Sequence, residues 1–238
     1  MKTKPHTCNQ NNNRGIRPLA VTMGDPAGIG PELCLHVLAD NRVTSTCLPV
    51  VFGDVAVLKR VAQTAGLNFP NVNILHAKSL PVADLDSPSI IDMNNLDAES
   101  VSPGRVSPEC GRAAFDYIRA AVAATDSRFG AIVTAPINKE ALNAAGVPFC
   151  GHTDMLAAMT AANSTCMMMA SEKICVSLVT THIPFSSVPG ELTVQRILEV
   201  IRISSETISA LKNRVPVITV CALNPHAGEH GLFGNQEE

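Results

Sequence analysis

Short apolar runs that stop at glycine, proline or a polar cluster alternate along this chain with longer stretches in which apolar residues recur every three or four positions. The first pattern is that of a buried strand and the second that of a helix with one face on a core. Leu19 to Met23 is β-prone and ends in a Gly/Pro turn. Pro31 then stands where a first helical turn tolerates it, ahead of Leu33, Leu35, Val37 and Leu38. Leu48 to Phe52 predicts a second strand ended by Gly53. Asp54 is a candidate N-cap, and Val57, Leu58, Val61 and Ala65 mark a helix closing at Gly66. From Val72 to Ser107 the apolar pieces are short and separated by Pro81, Pro88 and Pro103, which predicts edge strands and a surface excursion. Pro108 to Thr125 reads as an Ala-rich helix and Gly130 to Thr134 as a buried strand. Strands follow at Thr165 to Ala170 and Cys175 to Thr180, then a helix from Val194 to Leu211 and a strand from Val217 to Leu223. This alternation favours an α/β protein with a largely parallel sheet covered on both faces. Lys2 to Arg17, polar and Asn-rich without periodicity, reads as a disordered leader.

Composition narrows the function classes. With 238 residues, 46% of them apolar and 16% charged, the chain can bury a large core. A net charge of -3, one Tyr and no Trp supply neither the basic surface nor the stacking platforms that nucleic acid requires. No apolar stretch approaches the length of a membrane span and the N-terminus lacks a signal-type apolar core, so the expected compartment is the cytosol, with no membrane partner. The 8 cysteines include no pair at the spacing of a redox or zinc motif, and most lie in apolar segments, where a free thiol behaves as a small hydrophobe.

Candidate chemistry lies where strands end. Gly24, Gly28 and Gly30 form a tight strand-to-helix turn that lacks the spacing of a dinucleotide fingerprint and the Gly-Lys-Ser/Thr of a P-loop. It is open between a purely structural turn and a contact from backbone amides to an anion. Asp25 reads as a cap and Glu32 as a solvated helix residue with equal ease, and Lys139 after the Thr134 strand is a solvated side chain or a substrate contact. Three histidines have unusual neighbours: Gly151-His152-Thr153-Asp154 before a helix, Thr180-Thr181-His182-Ile183-Pro184 after an apolar strand, and Asn224-Pro225-His226-Ala227-Gly228-Glu229 after another. Imidazoles at neighbouring strand ends can converge on a divalent metal without being close in sequence, which makes His182 and His226 the natural pair. A loop histidine bonded to backbone is the alternative for each.

These segments, with Met23 to Glu32, Thr134 to Lys139 and Gly146 to Asp154, resemble the 4-hydroxythreonine-4-phosphate dehydrogenase family of pyridoxal phosphate biosynthesis, and they stand in that family's order. The resemblance implies a two-lobed α/β fold like that of isocitrate and isopropylmalate dehydrogenases, with a first lobe over residues 18–150, a second over 151–238, and an active site in the cleft shared across a homodimer. It implies His182 and His226 as metal ligands, His152 and Thr153 as contacts to the phosphorylated substrate, a divalent ion (Zn, Mg or Co), and NAD or NADP. The activity implied is oxidation of 4-phosphohydroxy-L-threonine to 2-amino-3-oxo-4-phosphooxybutanoate, which decarboxylates to 3-amino-2-oxopropyl phosphate. The alternatives are a phospho-threonate or erythronate dehydrogenase, or an inactive fragment. The family's third metal histidine, in a Tyr-His-Asp-Gln-Gly segment, has no counterpart here, so the resemblance implies a fold incomplete at its C-terminus and leaves the cofactor-binding residues unassigned.

Overall fold

The computed structural model describes residues 18–79, 85–125 and 129–237, so the Asn-rich leader lies outside the described residues. Contacts divide the chain into two compact units, Met1–Thr160 and Ala161–Glu238. In the first unit the elements run β1 (Pro18–Thr22), α1 (Gly30–Ala39), a short α2 (Asn41–Thr44), β2 (Leu48–Gly53), α3 (Val55–Ala65), β3 (Asn73–His76), β4 (Ser89–Asp92), α4 (Pro108–Ala124), β5 (Ala131–Thr134), α5 (Lys139–Ala144) and α6 (His152–Met159). The helix that begins at His152 therefore falls in the first unit, whereas a division at residue 150 assigns it to the second.

The strands pair in the order β3-β4-β2-β1-β5, all parallel. Every residue of β2 is buried, which is why its sequence is a continuous apolar run and not an alternating one. Helices α1 and α3 pack on each other and α4 packs on β1 and β2. Val57, Leu58 and Ala62 turn the buried side of α3 into a core with Phe52, Ile90 and Tyr117. Each fully buried aliphatic side chain there stabilises the fold by about 1.5–3 kcal/mol relative to exposure. A second, smaller cluster of Ile118, Leu142, Val147 and Met155 joins α4, α5 and α6.

Two expectations for this unit need correction. The stretch from residue 72 to 107 does hold an edge strand, β3, but β4 lies inside the sheet between β3 and β2, and Ile90 and Ile91 are fully buried. Four residues of high β propensity suffice for an interior strand when both neighbours supply hydrogen bonds, whatever prolines flank them. Conversely, the Gly130 to Thr134 segment is the outer strand β5, with Ala131 and Val133 exposed.

The second unit contains β6 (Met167–Ala170), β7 (Cys175–Leu178), a short α7 (Val188–Glu191) and α8 (Val194–Lys212). Strands β6 and β7 form an antiparallel hairpin and not two members of a parallel sheet, because the Ser171 to Ile174 turn between them is too short for a crossover. The Arg196 guanidinium on α8 donates to the Thr165 carbonyl at 2.8 Å and the Val179 carbonyl at 3.2 Å, and pairs with Glu199 at 2.6 Å. Residues 217–223, read as a strand, form no strand among the described residues, and Val217 is 97% exposed. Their β propensity is real, but an unpaired strand gains neither ladder bonds nor burial. The cysteine expectation divides in the same way: Cys34 and Cys110 are buried, whereas Cys150 and Cys221 are exposed. Burial pushes the Cys34 thiol up to about 12, so it is inert packing.

Candidate functional site

Three of the segments singled out in the sequence come together at the carboxyl edge of β1 and β5. The Ala135 amide donates to the Thr22 carbonyl at 3.1 Å and the Asp25 amide to the Pro136 carbonyl at 2.9 Å, which clamps the two strand-end loops side by side. Close approach explains the glycines. Gly24 has φ +73, and a Cβ on it would overlap the Pro136 carbonyl; a Cβ on Gly30 would overlap the Met23 carbonyl.

Two of the turn's amides are taken up by Asp25. Asp25, 7% exposed, accepts the Ala27 amide on Oδ1 at 2.9 Å, and its own carbonyl accepts the Gly28 amide at 3.0 Å. A buried carboxylate thus lies against the Ala27 amide, which supports the structural reading of the turn with Asp25 as its cap. Burial raises the Asp25 pKa, and the Ala27 amide opposes that rise. Glu32 is exposed. Asn138 caps α5 by accepting the Ala141 amide at 3.0 Å, leaving Lys139 exposed at the start of that helix.

His152 opens α6 beside the Ala135 backbone. Its Nε2 is shielded from solvent and has no hydrogen-bond partner among the described residues. Burial lowers its pKa, which the Ala135 backbone only partly offsets, so the ring is neutral at pH 7. The N-cap is Gly151, which has no side chain to pair with the first-turn amides. Thr153 is exposed on that turn, and Asp154 adds a carboxylate to it. An unpartnered imidazole nitrogen, a hydroxyl and uncapped helix amides form a donor set suited to a phosphate group once the imidazole takes up a proton.

In the second unit, His182 and His226 both have positive φ, +58 and +53, on exposed loops. The segment carrying His182 borders a cavity of about 310 Å³ lined by Val179, Thr180, Thr181, Ile183, Glu191 and Arg196 among others. His226 lies in a tight turn against Phe233, ring centroids 5.8 Å apart, and the Asn224 that precedes this turn is held by Gln236 and Glu237. Among the described residues no group of three or more His, Cys, Asp or Glu side chains is arranged to hold a metal ion. The donors are of the right kind for a divalent metal, but the described residues do not make a complete site.

Sequence reasoning missed one buried polar centre. Asp54, expected to cap α3, makes no side-chain cap bond. Its carboxylate instead accepts the Asn95 amide at 2.6 Å and the Tyr117 hydroxyl at 2.5 Å. Nothing local announces this, since the partners are 41 and 63 residues away. A larger groove of about 520 Å³ beside it, lined by Asn95, Glu109, Arg112, Asp116 and Ala145 among others, offers little free charge. Glu109 pairs with Ser107, Arg112 with the Ala145 carbonyl and Asp116 with Arg119.

Comparison with known proteins matches this arrangement of segments. The chain is 42% identical over 230 residues to a 4-hydroxythreonine-4-phosphate dehydrogenase of Desulfosudis oleivorans, covering 93% of this chain and 66% of that protein. It is 38% identical over 221 residues to an Oceanobacillus iheyensis protein named, provisionally, D-threonate 4-phosphate dehydrogenase, covering 92% of this chain and 66% of the relative. This chain therefore spans just under two thirds of the length of these relatives. The crystal structure of a 4-hydroxythreonine-4-phosphate dehydrogenase from Klebsiella pneumoniae superposes with a TM-score of 0.80 at 36% identity, over 94% of this chain and 68% of that one. The family model for the pyridoxal phosphate biosynthetic protein PdxA matches residues 45–238, and the chain belongs to that family.

Proposed function

We propose that this polypeptide carries the phosphate-recognition part of an NAD(P)-dependent dehydrogenase acting on 4-phosphohydroxy-L-threonine. In that reaction the secondary alcohol loses a hydride to the nicotinamide and a proton from its oxygen. The resulting ketone lies β to the carboxylate, so loss of carbon dioxide places the released electron pair on the ketone and yields 3-amino-2-oxopropyl phosphate. The observation that carries the reading is the buried, unpartnered His152 Nε2 beside uncapped α6 amides. A phosphate dianion there favours the protonated ring, and the charge-assisted bond formed offsets the burial that keeps the free ring neutral. Thr153 adds a hydroxyl donor. His182 and His226 are assigned as metal ligands in the same reading. Action as a homodimer and a cytoplasmic setting belong to it as well.

The relative named for D-threonate 4-phosphate favours a second substrate, the analogue without the amino group, because the phosphate anchor would serve both. Titration calorimetry of the 238-residue chain with each phosphorylated compound tests the anchor. His152→Ala should weaken binding about tenfold or more, as expected for loss of a charge-assisted hydrogen bond, with protons taken up on binding by the parent chain only. Equal affinity and equal proton uptake in the two proteins would sink the reading.

A further inference from the structure

The loop that delivers His152 is held at its two ends by core residues, Val147 and Met155, which are 4% and 0% exposed. Between Val147 and His152, Pro148 and Cys150 are exposed and Gly151 has no side chain, so Phe149 is the one apolar anchor. Its ring stacks on Phe115 of α4, with centroids 6.2 Å apart and planes 20° from parallel. Two guanidinium groups lie against the same Phe115 ring, Arg112 at 5.6 Å and Arg119 at 5.9 Å from its centroid. Arg112 also donates to the Ala145 carbonyl at 2.8 Å, directly before the loop begins at Gly146. Arg119 is tied in turn to Asp116 at 2.9 Å. One cluster around Phe115 thus grips both the start of the loop, through Arg112, and the residue three before His152, through Phe149.

We propose that the Arg112, Phe115 and Phe149 stack is a positioning device that holds His152 in its dehydrated place against Ala135 and so tunes affinity for the phosphorylated end of the substrate. The inference rests on the assignment of His152 as the phosphate contact. The stacking geometry is what matters: a guanidinium lies flat on an aromatic face, and an ammonium at the same position does not. Ring-on-ring packing fixes the loop laterally, which an aliphatic side chain of similar volume does not. No charged side chain contributes to the depression of the His152 pKa, which comes from burial, so the ring's titration reports how well the loop excludes water.

The test is the titration of the His152 imidazole by NMR in the full chain, its signal identified by its loss in His152→Asn. In Phe149→Leu and in Arg112→Lys the midpoint should move up toward that of an ordinary histidine, with the melting temperature shifted by no more than a few degrees. Phe149→Tyr should keep the parent value. Affinity for 4-phosphohydroxy-L-threonine should fall about two- to tenfold in Phe149→Leu and be preserved in Phe149→Tyr, the scale of one lost aromatic pair. An unchanged His152 midpoint in both Phe149→Leu and Arg112→Lys would overturn the positioning role. Since that readout needs no ligand, it remains decisive even if His152→Ala shows that the phosphate assignment is wrong.

Discussion

Removing one oxygen, Tyr117→Phe, should expose how this protein tolerates a carboxylate inside its core. Tyr117 is 0% exposed and Asp54 1%, and the hydroxyl donates to Asp54 Oδ2 at 2.5 Å. The substitution leaves the ring packing intact and strips one acceptor of its donor, at a cost of about 1–3 kcal/mol. The cost should depend on pH, and the sign is fixed. Burial is the first cause that raises the Asp54 pKa above 3.8, while the Tyr117 hydroxyl and the Asn95 amide pull it down. A carboxyl with a raised folded-state pKa binds its proton more tightly in the native state than in the unfolded one. Its contribution is therefore fully present below the unfolded value and is lost as pH rises through the folded value. Without the hydroxyl the folded value climbs further, so the window of loss widens and the penalty of Tyr117→Phe is larger at neutral pH than in acid. Asp25 is raised by burial as well and adds a slope of the same sign, which cancels in the difference between variant and parent. Urea unfolding of both proteins at about pH 5 and about pH 7.5 measures the effect. Circular dichroism is the probe, because Tyr117 is the chain's one Tyr and there is no Trp. Asp54→Asn, which cannot ionise, should remove the pH-dependent part of the penalty when combined with Tyr117→Phe. A penalty below about 0.5 kcal/mol, or one that is equal at the two pH values, would refute the reasoning.

Two further outcomes concern the loops. Gly24→Ala drives a Cβ into the Pro136 carbonyl of the β5 loop and Gly30→Ala drives one into the Met23 carbonyl of its own loop, so each should destabilise the first unit by more than about 2 kcal/mol in the same unfolding measurement, and a milder effect of Gly24→Ala would show that the clamp between the two loops is loose. His182→Asn and His226→Asn keep a residue type that accepts the positive φ of both positions, so they should leave the melting temperature unchanged while lowering affinity for zinc in titration calorimetry; undiminished affinity in both would remove these histidines from the metal assignment.

What the amino-acid pattern revealed depended on whether the controlling partner was near in the chain. Pro31 and Gly66 mark a helix start and a helix end through interactions within a few residues, and α1 and α3 begin and stop where these residues indicate. The burial of β2 was legible for a related reason: a strand covered on both faces must be apolar throughout. Position in the sheet was not legible. Residues 89–92 lie inside it and 131–134 at its edge because of which strands come to pair beside them, and no side chain within either segment records that. Residues 217–223 show the limit from the other direction, since a strand needs a partner as well as propensity.

The candidate site shows the same division between local and distant causes. From the sequence, the glycine turn after β1 was an open question between a structural turn and a cradle for an anion. Its chemistry is decided by Asp25, whose carboxylate takes the Ala27 amide and whose backbone takes the Gly28 amide. An ionised acid at the Ala27 amide disfavours a second negative charge at the same donor, by repulsion and by competition. Gly24 is needed instead because β1 and β5 leave the sheet side by side, where a Cβ would strike the Pro136 carbonyl, and Gly30 because the turn folds back onto the Met23 carbonyl. Helix α6 is the converse case. Its N-cap is Gly151, with no side chain to satisfy its first turn, and its first residue, His152, has an imidazole nitrogen with no hydrogen-bond partner among the described residues. Polar groups left unpaired in a folded protein are costly, so each calls for an explanation, a bound ligand among them. In the turn after β1, Asp25 and the close-packed glycines serve the scaffold, while the unpartnered nitrogen at the start of α6 is what supports the proposal that a substrate phosphate binds there.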